Sequence, residues 1–148
     1  MTADDYEGVY DLWLRIEGFA IRSIDDSKEG VLRFLKRNEE ISVVAVNEGR
    51  IIGVILAGHD GRRGCLYHVC VDKKFRNQGI GTSMTKKVLE ALMREKINHV
   101  SLIAFSDNIV GNAFWNKIGW KKRQDLNYYD FILNDNNVIH FNKKDMEA

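Results

Sequence analysis

The chain has 148 residues, with 22 Lys or Arg against 21 Asp or Glu, a formal net charge of +1. That size suits one domain, residues 1–148, with one core. The near-balanced charge excludes a global field that would draw it to nucleic acid or an anionic membrane; Lys73-Lys74 and Lys143-Lys144 are too short to reverse that.

The elements are read in chain order. Thr2 and Asp5 form a weak cap for a first helix, whose apolar stripe is Tyr6, Val9, Tyr10, Trp13 and Ile16 and which Gly18 ends. Asp26 and Glu29 cap a second helix with Val31, Leu32 and Leu35 inward. Ser42–Val46 and Ile51–Ala57 are strands of a hairpin turning at Asn47-Glu48-Gly49-Arg50. A second turn at 59–64 leads to a strand over Cys65–Val71. A helix with Ile80, Met84, Val88 and Leu92 inward follows to about Lys96. Val100–Phe105 is a strand, the helix around Phe114 stops at Gly119, and Trp120–Arg123 and Tyr128–Leu133 are strands. A turn and short strand, ending near Phe141, form a C-terminal tail from about Asn134. The order predicts an α/β fold with a mixed, mostly antiparallel sheet flanked by helices.

No apolar run has membrane-spanning length, and the start, Met1-Thr2-Ala3-Asp4-Asp5, is not a signal peptide. Cys65 and Cys70 are expected on opposite faces of one strand, so a disulfide is not expected. Two unbridged thiols point to a reducing, cytoplasmic setting.

Between the Cys65–Val71 strand and the next helix stands Arg76-Asn77-Gln78-Gly79-Ile80-Gly81. A glycine-bearing strand-to-helix turn is an anion site, because the first helical N–H groups lack intrahelical partners and the dipole favours negative charge. Gly79 and Gly81 allow close approach, and Arg76 adds a cation. The expected ligand is a phosphate or pyrophosphate. The Walker pattern is absent, and the three-glycine dinucleotide pattern fails at Met84.

The order Arg-x-x-Gly-x-Gly after an apolar strand resembles motif A of the GNAT (GCN5-related N-acetyltransferase) superfamily. Asn108-Ile109-Val110-Gly111-Asn112-Ala113-Phe114-Trp115-Asn116-Lys117-Ile118-Gly119-Trp120 resembles that family's later motif. The likeness spans roughly Ser42 to Leu133. It departs at the start: the family begins with a strand ahead of the first helix, and this chain begins at the helix. That strand is dispensable, replaced by the tail near Val138–Phe141, or lost through a misplaced start. The tail itself is expected to pair with a sheet edge or with a second subunit in a homodimer.

The resemblance implies an acetyl-CoA-dependent N-acetyltransferase acting directly on a small-molecule or peptide primary amine, without metal or covalent enzyme intermediate. It implies that amides at Val69, Cys70 and Val71 hold the pantetheine arm in a splay beside the Val100–Phe105 strand. Asn77, Gln78, Gly79, Ile80, Gly81 and Thr82 then bind the pyrophosphate with Arg76, Asn108 contacts the cofactor arm, and Trp115 counts among the cofactor-binding residues. The family's general acid, a Tyr, is replaced by Trp115, whose indole N–H is no acid at neutral pH. Tyr128 or Tyr129 is the substitute, or water. Ile103 stands where the subgroup acetylating ribosomal N-termini has Glu, which argues against that substrate. His68 and Asp107 remain as bases.

Each residue also has a plainer reading. Trp115 suits core packing, His68 a hydrogen-bonded buried site, and Asp107 and Asn108 helix caps. Arg62 and Arg63 suit a solvated turn, and the cysteines small core positions. The missing Tyr and carboxylate motivate a second function, a non-catalytic acyl-CoA-binding module; a nucleotide-binding fold is a third. In the family, substrate contacts come from the first helices and last hairpin, here Phe19–Asp26 and Asp125–Tyr129, which select no compound.

Overall fold

A computed structural model describes residues 1–144. The elements run α1 (Tyr6–Arg15), β1 (Ala20–Arg22), α2 (Lys28–Arg37), β2 (Val43–Asn47), β3 (Arg50–His59), β4 (Gly64–Val71), α3 (Ile80–Arg94), β5 (Val100–Leu102), α4 (Ile109–Lys117) and β6 (Ile139–Phe141). The main sheet has the order β2-β3-β4-β5, antiparallel except for the parallel β4–β5 pair. The expected mixed, mostly antiparallel α/β architecture is therefore present.

The sheet is covered on both faces. Strand β3 is buried almost throughout, as a strand between two helical layers should be. Its alternation sends Val54 and Leu56 to one cluster, with Val9, Leu12 and Trp13 of α1 and Val31 of α2. Ile55 and Ala57 go to the other, with Met84, Val88 and Leu92 of α3 and Trp115 of α4. No described helix is long and apolar enough to cross a membrane.

Several expectations are corrected. The α2 cap is Ser27, whose hydroxyl accepts from the Gly30 N–H at 3.1 Å; Asp26 is taken elsewhere. Pairing of β5 with β4 ends at Leu66↔Leu102, so Val100–Phe105 is a strand only to Leu102. Trp120–Arg123 and Tyr128–Leu133 form no strand at all: they find no ladder partner among the described residues, and beyond the half-buried Trp120 they stay exposed. The chain does start at a helical turn, Ala3–Asp5, where the Asp5 carboxylate accepts from the Thr2 N–H at 2.8 Å. The tail pairs antiparallel with β1, a strand not foreseen, through Ala20↔Phe141 to Arg22↔Ile139. That pair is a separate two-stranded sheet, so the tail does not replace a first strand on the main one. Tail residues 145–148 lie outside the described residues. Both cysteines are free.

Candidate active site

The site is built around β4. In its pairing with β3, Val54↔Cys70 and Leu56↔Tyr67 leave only Ile55 facing both His68 and Val69. This is a β-bulge, a device that bends a strand and re-aims a side chain. His68 takes the left-handed φ of +51° there. Its half-buried imidazole packs against the stacked rings of Trp13 and Phe19, with centroids 4.9 and 4.7 Å away. Nε2 stands 2.8 Å from Oδ1 of Asp26, which is buried. The other Asp26 oxygen accepts from the Arg22 N–H at 2.6 Å, and the Asp26 carbonyl accepts from the Tyr6 hydroxyl at 2.8 Å. Asp26 is thus the end of a built His–carboxylate pair, not a helix cap.

The glycine turn follows. Asp72 ends β4 and accepts from the Lys74 N–H at 3.0 Å, starting a short helical turn over Lys73–Phe75. Arg76 donates from Nε to the Val71 carbonyl at 3.0 Å, which ties its guanidinium to the strand end. Asn77 and Gly79 both have left-handed backbones, φ +61° and +80°. Gly79 precedes α3, and the first intrahelical bond runs from Ser83 N–H to its carbonyl at 3.0 Å. The N–H groups of Ile80, Gly81 and Thr82 therefore have no partner in the helix. A side chain at Gly79 would meet nothing within 4 Å, so its face of the turn is open. A Cβ at Gly81 would come within 3.1 Å of the Phe114 ring, so that glycine lets α3 approach α4.

The opening beside the turn comes from pairing that stops. Beyond Leu66 and Leu102, β4 and β5 are no longer paired, so the rest of β4 up to Val71 runs without a ladder partner on that side. Val69 and Val71 are half-buried there, while Cys70 points into the α1-side core. Burial pushes the Cys70 thiol up to about 12 and raises Cys65. Protonated thiols are poor nucleophiles at neutral pH, and His68 is held by a carboxylate. Neither cysteine is set up for a covalent acyl step.

The remaining candidates divide. Asn108 caps α4, its Oδ1 accepting from the Gly111 N–H at 3.0 Å; a Cβ on Gly111 would stand 2.5 Å from the Asn108 amide nitrogen, so the small residue of the motif serves the cap. Trp115 is buried with the rings of Phe114 and Trp120 each 4.9 Å away, in the α3-side core. Asp107 is exposed in the loop before α4. Tyr128 and Tyr129 are exposed and stand on no strand. Tyr67, next to the bulge, is pushed up to about 12, first by burial and then by Cys65. Among the described residues, no three His, Cys, Asp or Glu side chains gather as a metal site.

Sequence reading missed Asp26 as the partner of His68. The two are 42 residues apart, and Asp26-Ser27 offers two capping residues in a row. No spacing rule says which one caps.

Comparison with known proteins bears on the family and the fold. The sequence model of the Acetyltransferase (GNAT) family matches residues 6–120. An acetyltransferase of Pectobacterium atrosepticum is 27% identical over 118 residues, 80% of this chain and 82% of that protein. The crystal structure of the PaiA N-acetyltransferase of Thermoplasma acidophilum, in complex with coenzyme A, has a TM-score of 0.72. It is 16% identical, covering 97% of this chain and 95% of that one. Aminoglycoside acetyltransferase AAC(6')-Iy, in complex with a CoA-linked bisubstrate analog, has a TM-score of 0.68 at 15% identity, covering 89% and 95%. With a family match over most of its length, and with a glycine turn, a bulged strand and an unzipped strand pair in one place, this chain belongs to the GNAT acetyltransferase family.

Proposed function

We propose that this chain moves an acetyl group from acetyl-CoA directly to a primary amine of a small molecule or peptide. The observation that supports the reading is the Arg76–Thr82 turn, which follows a stretch of β4 that is unpaired on its β5 side and leads into α3. The fit is physical. Three helix-start N–H groups lack intrahelical partners, Gly79 leaves its face clear, and Arg76 stands in the turn, while Lys73 is paired with Glu17 at 3.4 Å. These groups suit a pyrophosphate. The β4 backbone at Val69 and Val71 would hold the extended arm as an added strand does. Asn108 stays a cap and lends only its remaining amide group.

When bound, acetyl-CoA supplies the acyl carbon and a thiolate leaving group. The chain's own work is to bind, orient and move protons. An amine is protonated at neutral pH and must lose a proton before it attacks. With Nε2–H of His68 donating to the Asp26 carboxylate, Nδ1 keeps its lone pair and can accept that proton. Asp26 fixes tautomer and ring orientation. The departing sulfur takes its proton from water, since Trp115 lies in the core and offers no acid. The reading predicts release of free thiol when the protein, acetyl-CoA and a panel of amines are mixed. It also predicts a higher melting temperature with acetyl-CoA or CoA. No thermal shift with either ligand would overturn it.

A further inference from the structure

The connection between α1 and α2 carries two of the groups that hold His68, the Phe19 ring and the Asp26 carboxylate. The C-terminal tail is bonded to that connection along its length. We propose that residues 136–142 are a strap that sets the His68–Asp26 pair, with Asn137 a positioning residue for acetyl transfer; the inference rests on the base role proposed above for His68. The sequence model of the family ends at residue 120, so the strap lies beyond the matched residues.

Asp26 is aimed by the backbone of Arg22. The Arg22 N–H donates to one carboxylate oxygen at 2.6 Å, and the Arg22 carbonyl accepts from the Asp26 N–H at 3.0 Å. The other carboxylate oxygen faces Nε2 of His68. Arg22 in turn stands opposite Ile139 of β6. A three-residue strand between two helices becomes a strand only when another backbone pairs with it, and here the tail is that backbone.

The tail also fastens the turn between Arg22 and Asp26. The Ser23 N–H donates to the Val138 carbonyl at 2.9 Å, and the Ser23 hydroxyl accepts from the Val138 N–H at 2.9 Å and donates to the Asn136 carbonyl at 3.0 Å. Half-buried Asn137 uses both ends of its amide. Its Oδ1 accepts from the N–H groups of Ile24 and Asp25 at 3.0 and 3.1 Å, and its Nδ2 donates to the Asp25 carboxylate at 2.8 Å. Further on, the Asn142 N–H donates to the Phe19 carbonyl at 2.9 Å, and its Nδ2 donates to the Trp13 and Ile16 carbonyls at 2.7 Å each. Trp13, Phe19 and Asp26 all meet the imidazole, and each is anchored to the tail directly or through one residue.

A base works only in the right tautomer and orientation. Nδ1 keeps its lone pair while Nε2–H donates to Asp26, and a carboxylate that shifts loosens that bond. The ring is then free to exchange tautomers. A strap that served stability alone would leave the ring unaffected by its loss.

Nitrogen NMR of the imidazoles in the full chain tests this, with His68→Gln assigning the signal. The neutral His68 ring is expected to carry its proton on Nε2 alone. Asn137→Ala is expected to mix the two tautomers and to lower kcat about tenfold, while KM for acetyl-CoA and affinity for CoA hold. Asp25→Asn combined with Asn137→Asp exchanges the two side chains, keeps all three bonds and is expected to restore both readouts. Ser23→Ala removes two bonds of the strap and is expected to move both readouts the same way by less; it takes over if Asn137→Ala does not fold. A parent ring that already mixes tautomers, or a variant that lowers only the melting temperature, would overturn the proposal. So would a kcat that holds while the tautomers mix, or a double variant no better than Asn137→Ala. The NMR is read without acetyl-CoA, so a chain that transfers no acetyl group yet mixes tautomers in Asn137→Ala loses the function and keeps the strap.

Discussion

The turn at Arg76–Thr82 and the span from 121 to 135 differ in how much of their structure lies within reach. The turn is completed by its neighbours in sequence: Asp72 caps its entry, Arg76 grips the end of β4, and Gly79 starts α3. The span has strand chemistry but no strand. A helix start satisfies itself locally, whereas a strand exists only when another backbone pairs with it.

Truncations on either side of Trp120, where the span leaves the core, measure that contrast most strongly. Trp115 sits among Phe114, Trp120 and the α3 core residues. Trp115→Ala is expected to cost about 3–5 kcal/mol in urea unfolding. Tyr129→Ala, in dilute protein, is expected to change stability by less than about 0.5 kcal/mol. Equal costs would mean the span packs on its own chain, and the contrast would be broken.

The same physics separates what was legible in the sequence from what was not. The loop glycines, the α3 stripe, the β2–β3 hairpin and the Asn108 cap were readable because each signal lies within a few residues. The Tyr128–Leu133 strand signal was equally clear, but a strand pattern names no partner. Strand β1 was missed because three residues become a strand only through pairing with Ile139–Phe141, more than a hundred positions away. Ile103–Phe105 looked as strand-like as Val100–Leu102, and only the divergence from β4 ends the strand. The His68–Asp26 pair depends on the bulge, which follows from unequal spacing on β3 and β4.

That pair gives the next effect in size. His68→Gln is expected to lower kcat about hundredfold, the scale of one general base. Affinity for CoA, measured by calorimetry without an amine, is expected to hold, because the turn is built by other residues. Asp26→Asn is expected to lower kcat less, since the ring remains but loses the carboxylate that orients it. A His68 variant that loses CoA affinity and keeps kcat would make the bulge part of the binding region instead.

A smaller loss is expected at Gly79. Nothing crowds the position, so the cost of Gly79→Ala is the left-handed backbone itself. That strain of about 1–2 kcal/mol is expected to lower stability in urea if the turn keeps its shape, or to weaken CoA binding roughly tenfold if the free turn relaxes to escape it. Gly81→Ala tests a different limit, because there the Phe114 ring must give way. If Gly79→Ala binds CoA normally while Gly81→Ala does not, approach of the two helices matters more to the site than the shape of the turn.

The smallest effect belongs to Asp72, where the turn joins the core. Its carboxyl is held below the usual aspartate range, first by the Lys74 N–H, with burial opposing and the Arg15 guanidinium at 3.3 Å assisting. A carboxyl with a lowered native pKa binds fewer protons folded than unfolded. Its contribution is therefore fully present above the unfolded value of about 3.9, and is lost as pH falls through the lower native value. Asp72→Asn keeps an oxygen for the Lys74 N–H but loses the charge. It is expected to cost about 1 kcal/mol at neutral pH. The difference from the parent chain should shrink as pH falls below about 4. Urea midpoints across that range measure it. A gap that does not close on acidification would mean that the Asp72 charge adds nothing, and that the turn is held by its hydrogen bond alone.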